Sequence, residues 1–366
     1  MPEFNPHLLL DIPSYPDAGY AVLADRLKRM LGTSADVVFV QAEAILALEA
    51  VATSIARHGA VAVNVVTSPY GRWFGTWLRR GGVTVHDVVA KAGQPVDAAA
   101  VSERLDTLTQ VDIVAAVHAE SSSGALNPLA ELAALAKSRD ALFAVDAVAS
   151  VGGHEIDIDG LGIDITVIGP QKALAGPAGL SAVVLGERAW AHIESLPDFA
   201  PSSLSLAAFK RDWLDQRRGA LPGMPPALEF WALEAMLDRI ESEGIERVIA
   251  RHQRAAQATR RALRALGVSP WIGRDDAASA LVTSAPVPHG IDGGELIALA
   301  RRYGAELTPG FGDISGHMVR LNHTGQRATA ETVLSNIVGY GRALERLGVA
   351  VDIAAATQAV AHAYAQ

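Results

Sequence analysis

Between residues 111 and 180 three short apolar runs alternate with polar, glycine-rich breaks, and each run ends on side chains able to do chemistry. VDIVAAV leads into His118, Glu120 and the serines that begin at Ser121. ALFAV leads into Asp146, and GIDITVIG leads into Pro170, Gln171 and Lys172. Short apolar runs ending in functional residues mark buried parallel strands, whose carboxyl ends form the binding edge of an α/β sheet. Lys172, bracketed by Gly169 and Gly176, can reach a bound carbonyl compound and form a Schiff base with it.

The alternation extends to both sides. DVVFV (36–40), AVAVNVV (60–66) and GVTVHDVVA read as strands. Helices are expected at 20–31, at 41–57, around Trp73, Trp77 and Arg79, and over DAAAVSERLDTL. With SAVVLG and a helix from Glu187, this order predicts an α/β domain with a mainly parallel sheet. The tryptophans of the third helix are expected to pack in the core. The first turn of the 41–57 helix carries Glu43, although helix N-termini facing a strand end commonly hold anions.

Residues 196–226, with Trp213 and LPGMPP, read as an ordered crossing or dimer-contact loop. Residues 226–267 read as one long amphipathic helix that bridges two domains. SALVTSAPV, GGELIALARRYG, AELTPG, HMVRLNHTG and a helix from Ala330 to Leu347 then suit a smaller α+β domain, and the alanine-rich tail (353–366) reads as helix. The expected division is an irregular, proline-rich arm (1–20), a large cofactor-binding α/β domain (21–250) and a small C-terminal domain (251–366).

A chain of 366 residues, half of them apolar, can bury a core large enough for two domains. The net charge of −9 argues against nucleic acid as a partner. No apolar run is long enough for a membrane span, and the start, MPEFNPHLLLDIP, lacks the features of a signal peptide. With no cysteine there is no disulfide framework, thiolate zinc site or iron–sulfur cluster. The expectation is a cytoplasmic protein acting on small molecules, with no metal, nucleic acid or membrane partner.

HAESSSGALNPL, VDAVASVGG, IDIDGLGIDI, GPQKALAGPAGL and VRLNHTG follow one another along the chain. In these pieces and their order, from about residue 35 to 345, the chain resembles the class V aminotransferases of fold type I. That group contains the alanine–glyoxylate, serine–pyruvate and pyridoxamine–pyruvate aminotransferases. The resemblance implies a fold-type I architecture, with a seven-stranded-type, mainly parallel sheet in the large domain and a smaller α+β domain, assembled as a homodimer. It implies pyridoxal 5′-phosphate as cofactor, or unphosphorylated pyridoxal and pyridoxamine as substrates at the same site.

By the same resemblance Lys172 carries the aldimine, Asp146 pairs with the pyridine nitrogen, Tyr70 stacks on the ring and Arg320 holds the substrate carboxylate. Ser121 falls where the family places a hydroxyl near the phenolic oxygen, and Gln171 falls beside the cofactor. His118 has a family counterpart, and a satisfied histidine at a strand end reads equally well. The chemistry agrees with these roles. A buried carboxylate keeps the ring nitrogen protonated so that the ring can stabilise a carbanion. A released lysine amine is a base placed to move the proton. Arginine matches a carboxylate with a planar, bidentate fork.

The departures narrow the ligand. In the alanine–glyoxylate branch the phosphate-binding turn reads Ser-Gly-Ser-Gly; here it reads Gln41-Ala42-Glu43-Ala44. A carboxylate aimed at a phosphate in a low-dielectric pocket costs roughly several kcal/mol. The serine usual two residues before the lysine is Pro170, and the tyrosine and threonine that complete the phosphate cup align with Leu221 and Met224. The pyridoxamine–pyruvate branch, which uses the unphosphorylated vitamin as a substrate, shares the glutamate, and Tyr70-Gly71 and Glu229 also resemble it. Glu43 is therefore expected to accept a hydrogen bond from a neutral 5′-hydroxymethyl group. A second arginine of that branch is replaced by Phe311.

The expected activity moves an amino group between an amine (pyridoxamine, or a small amino acid such as alanine or serine) and a short 2-oxo acid such as pyruvate or glyoxylate. The pyridoxamine–pyruvate type is favoured. A pyridoxal-phosphate-dependent alanine/serine–glyoxylate enzyme and a vitamin-B6-binding homologue without turnover are the alternatives. Persulfide-carrying desulfurases are excluded by the missing cysteine.

Overall fold

The computed structural model describes residues 5–196 and 202–365. Seven strands form the main sheet: β1 (Asp36–Val40), β2 (Val61–Val66), β3 (Thr84–Val89), β4 (Ile113–Val117), β5 (Leu142–Asp146), β6 (Ile165–Ile168) and β7 (Ser181–Leu185), in the order β1-β7-β6-β5-β4-β2-β3. Adjacent pairs from β3 to β6 are parallel, and β7 alone runs antiparallel to both its neighbours. The α/β class with a mainly parallel seven-stranded sheet is thus observed. Every residue of β4, β6 and β7 is buried, as expected of strands covered on both faces.

Helices connect the strands on short turns: α1 (Asp17–Leu31), α2 (Ala44–Ile55), α3 (Pro69–Arg80), α4 (Ala98–Asp106) and α5 (Leu129–Ser138). Ser68 caps α3 by accepting a hydrogen bond from the Tyr70 N–H, and Pro69 sits in the first turn, where a missing N–H costs nothing. Gly71 allows α3 to lie directly on β2, because a Cβ there would stand 2.9 Å from the Val65 carbonyl oxygen. That close approach fixes Tyr70 at the sheet edge.

Several expectations are corrected. The 41–57 helix is shorter, and Glu43 is its N-cap and not a residue of its first turn. Trp73 does not pack in the core; it is 40% exposed, and Trp77 is half-buried. The single helix expected over 226–267 is two. α6 (Ala227–Glu243) and α7 (Ile245–Leu266) are separated by Gly244, whose φ of +87° lies in the left-handed region that favours glycine and cannot continue a helix. The arm is not wholly irregular either, since a 3₁₀ turn occupies Pro6–Leu9 and α1 begins at Asp17. Residues 1–4 of that arm, 197–201 of the expected crossing loop and residue 366 lie outside the described residues.

A second, three-stranded antiparallel sheet orders β8 (Val282–Pro286), β10 (Met318–Asn322) and β9 (Leu307–Pro309) as β8-β10-β9. Its own apolar core joins α7 to α8 (Gly293–Arg302), α9 (Ala330–Arg346) and α10 (Ile353–Ala365). Among the described residues no helix is long and apolar enough to cross a membrane, and no cluster of His, Asp and Glu could hold a metal ion.

Candidate active site

The strand ends converge as their apolar runs require. β2 leads into Thr67 and Tyr70, β4 into His118 and Glu120, β5 ends on Asp146, and β6 leads into Lys172. Because β7 is the one reversed strand, β1 also points its carboxyl end to this edge and delivers Glu43. Glu43, Tyr70, Glu120, Ser121, Asp146 and Lys172 line one cleft with ≈ 380 Å³ of empty space. Arg320 enters from β10, where its Nη1 donates to the Ser121 carbonyl oxygen at 2.6 Å and its Nε donates to the Pro309 carbonyl oxygen at 2.8 Å. Among the described residues no hydrogen bond engages its Nη2, which leaves that edge of the fork for a carboxylate.

Asp146, half-buried at the end of β5, lines the floor of the cleft. Its Oδ1 accepts the Val148 N–H at 3.0 Å, and burial raises the carboxyl to about 7. Burial also lowers the Lys172 amine from the ordinary lysine range. Its Nζ lies 3.5 Å from Ser121 Oγ, a contact at the long limit of a hydrogen bond. An acid held partly neutral and an amine biased toward its neutral form are what a site for proton transfer near neutral pH needs. Burial raises the Tyr70 hydroxyl, and Tyr70 is wedged against Trp73 and Phe311 with ring centroids 5.5 and 5.8 Å away.

His118 is buried and lowered to about 4 by that burial, so it is neutral at physiological pH. Its ring stands 5.5 Å from that of His154, and its Nδ1 is buried without a partner. Gln171 lies beside the lysine but turns toward Glu43: its Nε2 donates to Glu43 Oε1 at 2.8 Å, and its Oε1 is a buried acceptor without a partner.

Sequence reasoning singled out Glu120 but assigned it no task. Its carboxylate accepts from the Thr67 hydroxyl at 2.6 Å and the Ser122 hydroxyl at 3.1 Å. Asn127, which carried no signal, donates to Thr67 Oγ1 at 3.2 Å and to the Val117 carbonyl at 2.8 Å. Leu221 is buried, whereas Met224 stands almost wholly in solvent at 94% exposure.

The cleft fits the ring of a B6 vitamer: a buried carboxyl without a cation bonded to it sits at the floor, an amine at one wall and an aromatic ring at another. The cleft extends to Glu43, Ala44 and Ile45 at the start of α2, where the oxygens of an anion would meet backbone N–H groups. There the Glu43 side chain itself accepts the Ile45 N–H at 2.8 Å.

Fold, strand-edge cleft and lysine define a class, and the chain belongs to it: the class V aminotransferase family profile matches residues 19–330. The protein is an aminotransferase of a fold group that depends on pyridoxal phosphate. Pyridoxamine–pyruvate transaminase of Mesorhizobium japonicum is 32% identical over 332 residues, which span 90% of this chain and 84% of the relative. An uncharacterised aminotransferase of Methanocaldococcus jannaschii is 33% identical over 330 residues, spanning 89% and 84%. The crystal structure of pyridoxamine–pyruvate aminotransferase from Mesorhizobium loti matches with a TM-score of 0.90 at 30% identity, covering 95% of this chain and 89% of that one. Ureidoglycine–glyoxylate aminotransferase of Bacillus subtilis shares the fold, with a TM-score of 0.89 at 24% identity over 100% and 96% of the two chains.

Proposed function

We propose that this aminotransferase takes unphosphorylated vitamin B6 as a substrate and moves an amino group between pyridoxamine and a short 2-oxo acid such as pyruvate. The observation that carries this reading is Glu43, whose carboxylate caps α2 and occupies the position a phosphate would need. The similarity to pyridoxamine–pyruvate transaminase over most of both chains supports it.

When bound, the pyridine ring supplies a sink for the electron pair left behind as a proton departs from the carbon bearing nitrogen. Asp146, at the end of β5, would hold the proton on the ring nitrogen. Lys172, its amine biased toward the neutral form, would take the carbon-bound proton and return it at the other carbon. Tyr70, braced by Trp73 and Phe311, forms one wall against the ring face. Ser121 meets the phenolic oxygen, and Glu43 with Gln171 accepts the hydrogen bond of the 5′-hydroxymethyl group. The Nη2 edge of Arg320 binds the carboxylate of the oxo acid, and His118, neutral and buried, lies beyond the ring as a packing neighbour.

The reading includes a homodimer, supported by large apolar side chains left in water, among them Leu8, Met224, Leu228 and Trp231. It also includes the division into arm, large domain and small domain, supported by two separate apolar cores. Incubating purified protein with pyridoxamine and pyruvate, with no pyridoxal phosphate added, tests the activity. Formation of pyridoxal and alanine in equal amounts is the expected result. Turnover that appears solely after pyridoxal phosphate is added would overturn the reading.

A further inference from the structure

Glu120 is a carboxyl at 1% exposure that the chemistry above does not use, yet it lines the same cleft as Asp146, Tyr70, Ser121 and Lys172. Among the described residues no cation pairs with it. Burial raises it, and the Thr67, Ser68 and Ser122 hydroxyls around it favour the ionised form. A buried acid without a cation is expensive unless its hydrogen bonds are needed.

The directions of those bonds are set by their partners. Thr67 Oγ1 receives the Asn127 amide, so the Thr67 proton is directed to Glu120 Oε1. Ser68 Oγ receives the Tyr70 N–H at 3.2 Å, so its proton is likewise left to point away from the helix. Ser122 donates to Glu120 Oε2. Glu120 is therefore an acceptor on both oxygens. One oxygen faces the turn after β2, which starts α3 and carries Tyr70. The other faces the turn after β4, which carries Ser121 and gives Arg320 its carbonyl anchor. The latter turn is closed on itself by the Glu120 N–H to the Ala125 carbonyl and the Gly124 N–H to the Glu120 carbonyl, both at 2.8 Å.

We infer that Glu120 is a positioning residue that ties these two turns together, so that Tyr70 and Ser121 keep a fixed separation in the cleft that Lys172 also lines. It acts through its hydrogen bonds and touches no reacting atom. The inference rests on reading the cleft as a B6 site, and it concerns either form of the vitamin.

The test is the affinity of the purified protein for pyridoxal and for pyridoxal 5′-phosphate, followed by the absorption band each gives on binding. Whichever probe the wild-type protein holds more tightly decides the functional reading. The ratio of variant to wild type for that same probe decides the role of Glu120. E120Q leaves a single acceptor oxygen and sets an N–H₂ group against a hydroxyl proton, whereas T67V removes the bond from the other side. Each is expected to weaken binding roughly tenfold or more and to shift the pH titration of the absorption band. The double variant is expected to be no worse than the poorer single one, because both cut the same tie. If E120Q does not fold, T67V and S122A together remove two of the three hydroxyls bonded to Glu120, one on each oxygen, and are expected to show the same loss. Affinities within twofold of wild type, with a lowered melting temperature alone, would overturn the inference, as would fully additive losses.

Discussion

At the scale of the residue, the site is governed by what burial does to charge. Asp146 is pushed up to about 7, well above the unfolded value near 3.8, so ionising it works against the fold. Its destabilising effect is absent below the unfolded value and grows as the pH rises from about 4 through 7. Water in the open cleft trims the cost, which is on the order of a few kcal/mol at most. The ligand-free D146N variant is therefore expected to melt higher than wild type at pH 8 and to match it near pH 4, as thermal denaturation across that range would show. Equal melting differences at both pH values would contradict the account. In the proposed function a bound pyridinium would place a proton-bearing cation beside the carboxylate and reverse this balance.

Arg320 makes a sharper kinetic prediction at the same scale. Its fork is held by the Pro309 and Ser121 carbonyls, and a lysine cannot reproduce both anchors and still offer a bidentate edge. R320K is expected to raise the KM for pyruvate by roughly 10- to 100-fold, in line with about 1.4–2.8 kcal/mol for a lost charge-assisted bond. The affinity for pyridoxal should change little. Steady-state kinetics and a binding titration separate the two effects.

At the scale of the element, the proposed choice of vitamer rests on the start of α2. A helix N-terminus attracts anions, and this one has satisfied that preference internally through the Glu43 carboxylate. E43S keeps an N-cap and removes the charge, so the affinity for pyridoxal 5′-phosphate relative to pyridoxal is expected to rise by about tenfold or more, a shift of at least ~1.4 kcal/mol. An unchanged ratio would show that the phosphate is refused elsewhere.

Elements also explain what was legible in the sequence. Lys172, Asp146 and Tyr70 could be placed because each ends or follows a strand whose run is mostly apolar, and parallel strands bring their ends to one edge whatever the loops between them. The break between α6 and α7 was hidden because SEGIE preserves the amphipathic rhythm, and a positive φ at Gly244 leaves no mark in that rhythm. Trp73 was read as core because tryptophan usually is, whereas here it braces Tyr70 from outside. The tie from Glu120 to Thr67 spans two strands and is a tertiary fact. No spacing along the chain could announce it.

At the scale of the whole molecule, the large sheet supplies ring, amine and acid groups to one cleft, and the small sheet brings Arg320 to Ser121 beside it. The family fixes the type of reaction, and the proposed substrate rests on the departures from the family. Titrating the purified, ligand-free protein with pyridoxal and with pyridoxal 5′-phosphate in parallel, followed by absorption, decides whether the cleft receives B6 without its phosphate. Pyridoxal is expected to bind more tightly by at least about tenfold, one ~1.4 kcal/mol step. Tighter binding of pyridoxal 5′-phosphate, or its copurification on Lys172, would contradict it.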